Sequence, residues 1–479
     1  MKKILVIITA LLFFFVHNSV AQGCIPGGIA FYSQEEIDNF HINYPGCTEI
    51  EGTLELYGEE ITNLDGLLGI KSIEGDLSIN YTTITSLKGL DSLHVIGLNF
   101  EVAECSALLD FNGLQKLDTI GGAFMIWGNP LITDFAEMES LRYIGVDCDY
   151  DWVTYCNGFQ VNGNESLINF HGLENVTALL GDCEVMDNPS LISFSGLDNI
   201  IDIDLAFYIY NNPLLSNFEG LNNLKQIGDW FHVLNNNSLL NFTGLDSLEY
   251  IGGSNLTDPN PYESKRGFRI ANNPELINFN GLEKLNKIGT GGLTIENNNS
   301  LINLQGLSGF EFIGINFASS AHVLIKNNAS LSSLQGLGDL EDSNNPFFIF
   351  QSNPNLSICD ISPVCAQIAS SGHVIASGNA SGCNSVSQID LACQTNAVSA
   401  MEQEDLEIQV FPNPCFGKFL IKTPYPVQSQ LFIYDHSGTP IIRASKVEKE
   451  IDLSSFPDGL YFISIFSEGR WYQGKVVKQ

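Results

Sequence analysis

Basic residues are scarce in this sequence of 479 residues: Lys and Arg total 21 against 55 Asp and Glu, a formal net charge of −34. Nucleic acid is therefore not an expected partner, because neutralising a phosphate backbone takes clustered Lys and Arg. An anionic membrane surface is disfavoured for the same reason. Long apolar runs are missing beyond the N-terminus, so no later segment reads as a transmembrane helix. Catalytic signatures are missing too: no Gly-rich phosphate loop, His-Glu-x-x-His or Gly-x-Ser-x-Gly occurs, and the 8 His are scattered. An acidic pair such as Asp202/Asp204 is what any chain with 55 carboxylates offers, so no enzyme is expected. Apolar material is plentiful, with 44% hydrophobic residues and 31 Phe, which excludes a disordered chain.

Residues 1–21 read as a secretory signal peptide. Lys2 and Lys3 precede an apolar stretch, Ile4 to Val16, which is too short to span a bilayer, and Ser19-Val20-Ala21 supplies small residues before a cleavage at Gln22. Gly23-Cys24 resembles the end of a lipoprotein box, but the bulky Gln22 and Ala21 do not fit one. Export places the 11 Cys in an oxidising compartment. Setting Cys415 aside leaves ten, an even number suited to disulfides; pairing by proximity proposes Cys24–Cys47, Cys148–Cys156 and two bonds among Cys359, Cys365, Cys383 and Cys393, with connectivity open.

The strongest signal is a repeat. A unit Asn-Pro-x-Leu-x-x-Phe-x-Gly-Leu-x-x-Leu-x-x-Ile-Gly recurs, its Gly-Leu pair falling at Gly66, Gly89, Gly113, Gly172, Gly196, Gly220, Gly244, Gly281, Gly306 and Gly336, with Glu137-Met138 as a degenerate copy. The base period is 24, the separation of Gly196 and Gly220, which indicates a solenoid of eleven coils. Gly and Asn-Pro interrupt every window before a long helix forms, so each coil is built of short strands and tight turns. A Phe column (Phe111, Phe135, Phe170, Phe194, Phe218, Phe242, Phe279) and an Asn column (Asn129 to Asn353) place like residues on successive coils, the first for packing, the second for amide hydrogen bonds from rung to rung.

The units, for example Leu191-Ile192-Ser193-Phe194-Ser195-Gly196-Leu197 and Leu224-Lys225-Gln226-Ile227-Gly228, resemble the leucine-rich-type repeats of receptor L domains. The resemblance implies an all-β chain: a right-handed parallel β-helix over 50–358, sealed by disulfide caps at 22–49 and 359–393. Beyond a polar linker at 394–404 the period disappears. Residues 405–479 read as a small β-sandwich of alternating strands and Gly/Pro turns. Pro412-Asn413-Pro414, Tyr434-Asp435 with Gly438, and Pro457-Asp458-Gly459-Leu460-Tyr461 make it similar to the type A C-terminal sorting domain of the Bacteroidota type IX secretion system. That resemblance implies as partners the secretion machinery and a sortase-like peptidase, and a protein secreted or held on the outer cell surface of a Gram-negative bacterium.

Three insertions, near 146–156, 253–266 and 315–320, each follow the Ile-Gly of a unit, so all three project from one edge of the solenoid. Tyr150, Trp152 and Tyr155 lie in the first, between Cys148 and Cys156; Tyr262, Lys265 and Arg266 lie in the second, with Arg269 just after it. Aromatic and basic side chains on constrained loops are recognition equipment, so these residues are the expected ligand-binding set. Asp147, Asp149 and Asp151 alternate like the start of a calcium loop, but Trp152 and Gly158 occupy its sixth and twelfth places, which excludes an EF-hand and leaves only a looser Ca²⁺ site. No other cofactor is expected. The reading is of an exported, non-enzymatic recognition or adhesion protein for an extracellular protein or glycan. Its rivals are a polysaccharide-acting β-helix enzyme and a purely structural surface-layer component. The charge belongs to the repeats: residues 22–397 carry 11 basic and 45 acidic side chains, 11 − 45 = −34, the whole net charge of the chain.

Overall fold

The computed structural model describes residues 23–145, 158–252, 267–289, 291–313, 323–337, 347–370, 373–401, 408–422, 429–436, 439–446, 450–467 and 470–479. The signal segment lies outside them. The chain forms two compact units, residues 1–393 and 394–479.

The first unit is the solenoid. Its principal surface is a 14-stranded parallel sheet running from Ile29–Phe31 to Val374–Ser377, each strand supplied by one coil. The strands alternate: in Phe207–Tyr210 the first and third residues are buried, and Tyr208 and Tyr210 face outward. Two-residue strands at the Ile-Gly position form two further parallel sheets of six strands, Gly23–Cys24 to Tyr143–Ile144 and Ala178–Leu179 to Phe312–Ile313. The long sheet has three more strands than the eleven Gly-Leu units, because Ile29–Phe31 and Leu54–Tyr57 precede the first Gly-Leu pair and Val374–Ser377 of the C-terminal cap follows the last coil.

Two Asn residues turn the corner after the long strand in five coils; in others Tyr81, Glu104, Gly128, Gly163, Asp187 or Ser352 takes the first place. The first adopts a left-handed backbone, as at Asn211, Asn235, Asn272, Asn297 and Asn327 with φ of 56–60°, a conformation Asn tolerates better than most residues. Its exposed amide reaches the same place one coil back, Asn235 Nδ2 donating to Asn211 Oδ1 at 2.9 Å. The second Asn is fully buried. The backbone N–H of Asn212 donates to Oδ1 of Asn236 at 3.0 Å, while Asn236 Nδ2 donates to the Ile209 carbonyl at 3.0 Å. This pattern runs from Asn129 to Asn379 and satisfies the corner's buried polar groups coil by coil.

Inside, the Phe column is a continuous stack, with centroids 5.3–5.9 Å apart from Phe111 to Phe279. A second column runs beside it on the long sheet, through Phe100, Phe124 and Phe159 and again through Phe207, Phe231 and Phe268. The two columns meet edge to face, as in Phe194–Phe207 at 5.9 Å. At Gly220 of the Gly-Leu pair there is no room for a side chain, since φ is +106° and a Cβ would lie 2.2 Å from the Phe194 carbonyl carbon of the preceding coil; in the degenerate copy Glu137 takes this place with a φ of 79°.

Disulfides close both ends, Cys24–Cys47 at the first coil and Cys359–Cys383 with Cys365–Cys393 at the last. Short helices accompany them: Gln34–Asp38, begun by a Ser33–Glu36 capping box, and Ser362–Ser370. Two expectations change here. The even count does not pair, since Cys105 and Cys183 are free and buried. Each replaces a core residue: Cys105 stands one rung before Asn129 in the Asn column, and Cys183 takes the Phe place between Phe159 and Phe207. Residues 394–401, read as linker, continue the helix Val386–Met401, a stretch with no Gly or Pro to stop it.

The second unit holds two antiparallel sheets of three and four strands. They enclose a separate core of Ile408, Phe419, Leu431, Ile433, Ile463, Ile465 and Val476 among others. Asn413 of the Pro-Asn-Pro turn is tied to the last strand, donating to the Lys475 carbonyl and accepting from Val477 N–H, both at 2.9 Å.

Candidate recognition face

In-register parallel strands stack the outward residues into rows. One row brings Glu184, Tyr208, His232 and Arg269 side by side; the next brings Asn162, Met186 and Tyr210. Trp230 sits just before the strand Phe231–Leu234 and packs on His232, ring centroids 4.7 Å apart. Tyr208 meets His232 at 5.3 Å and Tyr210 at 5.7 Å. Tyr208, Tyr210, Trp230 and His232 thus form one half-buried aromatic platform.

Carboxylates border it. Asp182 accepts a hydrogen bond from Ala206 N–H at 3.0 Å, and Asp204 Oδ2 is buried without a hydrogen-bond partner. Burial pushes the Asp182, Glu184 and Asp204 carboxyls above their usual range, and at Glu184 the charge of Asp182 adds to it. The Tyr208 phenol is raised by burial and then by Asp182, and the Tyr210 phenol is raised by burial to about 12. Burial, aided by Arg269, lowers His232 to about 4. At neutral pH the platform is therefore uncharged, with both phenols protonated and the imidazole neutral.

Of the expected basic group, Arg269 is on this face, its guanidinium 3.4 Å from Glu296. Lys265 and Arg266 lie outside the described residues, as do Tyr150, Trp152, Tyr155 and Tyr262, the calcium candidates Asp147, Asp149 and Asp151, and the pair Cys148 and Cys156. The stems of the insertions are described. All three fall between a two-residue strand (Tyr143–Ile144, Tyr250–Ile251, Phe312–Ile313) and the long-sheet strand that follows (Phe159–Asn162, Gly267–Ala271, Val323–Lys326), one corner of the coil. The first two stems bracket the three insertion-free strands that carry Glu184, Tyr208, Tyr210 and His232. Among the described residues no group of three or more His, Cys, Asp or Glu is placed to hold a metal ion, and no helix is long and apolar enough to cross a membrane.

Tyr208, Tyr210, Trp230 and His232, which form this platform, are not among the residues expected from the sequence. Its signal was in the strands themselves: aligning Phe207-Tyr-Ile-Tyr, Phe231-His-Val-Leu and Phe268-Arg-Ile-Ala on their Phe and reading the second and fourth letters as outward columns finds it.

Residues 194–311 match the model of the Receptor L domain family, within the solenoid, and residues 409–479 match that of the Secretion system C-terminal sorting domain, coinciding with the second unit. No curated protein matches the chain. The sorting domain marks substrates of type IX secretion, which in Bacteroidota are secreted or attached to the cell surface.

Proposed function

We propose that this exported solenoid is a non-enzymatic recognition or adhesion module, and that its ligand is held on the outward face of the long sheet at Tyr208, Tyr210, Trp230 and His232, beside the loop edge. The observation that carries the reading is the platform itself. Four aromatic side chains converge on the outside of a rigid parallel sheet. Such rings supply contact area at low entropic cost and are typical anchors of recognition surfaces.

A binding role fits the polar groups better than a catalytic one. The Tyr210 hydroxyl is engaged by His232 at 2.6 Å, and the Asp182 carboxylate by a backbone amide, so these groups serve the shape of the face. The cap disulfides and double Asn ladder give the rigidity that lets a shallow surface discriminate between ligands.

The test is retention on immobilised arrays of extracellular proteins and glycans, comparing the full chain with Tyr210→Ala and Trp230→Ala. Loss of a retained ligand in both variants, with an unchanged melting temperature, is expected. Equal retention by all three proteins would remove the face from the binding reading.

A further inference from the structure

The outward rows of the long sheet hold a longer pattern. The fourth residues of successive strands are paired in register as Tyr57, Asn80, Ala103, Trp127, Asn162, Met186 and Tyr210. Aromatic side chains recur at every third strand of this row, and the strand spacing puts Tyr57, Trp127 and Tyr210 roughly 14 Å apart along the solenoid axis. Each is outward: Tyr57 is 49% exposed, Trp127 is 44% exposed, and Tyr210 is half-buried at the edge of the platform. The end stations are broadened by neighbours. Tyr57 meets Tyr32 at 6.4 Å and Tyr81 at 5.2 Å, as Tyr210 meets its own partners at the other end.

Between the stations lie Asn80, Ala103, Asn162 and Met186, none of them charged, so the row is a track of aromatic faces separated by uncharged side chains. The adjacent row contributes Glu55, Glu101 and Glu184 on strands of the same sheet, and no Lys or Arg stands in either row before Arg269. We infer that the ligand of this face is a linear, uncharged polysaccharide lying parallel to the solenoid axis. The inference rests on the recognition reading above and names the class of ligand.

Three features select this occupant. A straight, periodic line of stations suits a polymer with its own repeat better than the compact footprint of a globular protein, whose anchors cluster near one centre. The electron-rich faces of Tyr and Trp attract the polarised C–H groups on the face of a pyranose ring, and Asn and Glu offer donors and acceptors for its hydroxyls. Charge excludes the alternatives among polymers: a coat of −34 with carboxylates beside the track repels uronates, sulfated glycans and nucleic acids. Because the stations are separate, binding to one raises the effective concentration at the next, so affinity must depend on chain length.

The experiment titrates the full chain with soluble neutral glycans (β-glucan, xylan and mannan polymers and their trisaccharides and nonasaccharides), with polygalacturonate as the anionic control. A neutral glycan should bind at least about tenfold more tightly as the nonasaccharide than as the trisaccharide. Trp127→Ala should erase that difference without moving the melting temperature, since the side chain is exposed. Binding with no length dependence, binding unaffected by Trp127→Ala, or preference for polygalacturonate would each overturn the inference, as would failure of every neutral glycan to bind. In that last case the array experiment separates the two readings. If Tyr210→Ala still loses an array ligand, the face stands and the glycan class falls; if it loses none, both fall.

Discussion

The hydroxyl of Tyr210 lies 2.6 Å from Nδ1 of His232, on the neighbouring strand of the long sheet. With the phenol raised to about 12 and the imidazole lowered to about 4, the hydroxyl donates and Nδ1 accepts at neutral pH. The imidazole proton then sits on Nε2, which is buried and has no hydrogen-bond partner. The pair fixes the tautomer of the histidine and, through it, the ring on which Trp230 packs.

The first prediction is an acid dependence of stability. A His whose folded value of about 4 lies below its usual 6.5 binds its proton more readily when unfolded. Its contribution is therefore fully present above 6.5 and is lost as pH falls through that window towards 4. Asp182, Glu184 and Asp204, raised by burial, act in the opposite sense. Thermal unfolding of His232→Gln should show a smaller drop in melting temperature between neutral pH and pH about 4.5 than the native chain. Parallel pH profiles would show that His232 is not the titrating group.

The second prediction concerns the Asn pair that follows the strand Phe231–Leu234, Asn235 and Asn236. Asn236→Ala removes the acceptor of the Asn212 N–H and the donor to Ile209 O, leaving buried backbone groups unpaired. A loss of about 3 kcal/mol in urea unfolding is expected. Asn235→Gly next to it should cost far less, because the amide is exposed and glycine readily adopts a φ of 60°. Equal losses at both positions would mean that the buried ladder is not what stabilises the corner.

Glycine substitutions should separate close packing from backbone strain. At Gly220 an added Cβ meets the Phe194 carbonyl, so Gly220→Ala should open the coil and expose it to limited proteolysis. At Gly69 φ is +95° but nothing lies within 4 Å, so Gly69→Ala should cost only about 1 kcal/mol of strain. Similar proteolysis patterns for the two variants would refute the distinction.

Cysteine labelling is the fourth check. Cys105, Cys183 and Cys415 are free and buried, and burial raises the thiols of Cys105 and, more strongly, Cys183. Maleimide should label none of the three in the native protein and all three in denaturant, as read by peptide mapping. Native labelling of Cys183 would mean that its coil opens readily.

Much of this molecule is written locally. The Gly-Leu period, the Phe at its centre and the Asn after each strand state the coil, because a solenoid brings every residue against its own counterpart one period away. That is why the Asn column and the first Phe column could be read from spacing alone. The second Phe column, through Phe207 and Phe231, was less legible, because its strand follows the more variable Ile-Gly corner. Cysteine parity misled for a related reason: Cys105 and Cys183 are substitutions within core columns, and counting cannot tell a filled position from a bond. What only the tertiary structure decided is which outward side chains share one face. In-register pairing set Tyr208 beside His232, and Tyr57, Trp127 and Tyr210 in one line. Those side chains are far apart in the chain, and the distances between them are fixed by backbone hydrogen bonds between coils, which the order of residues alone does not measure.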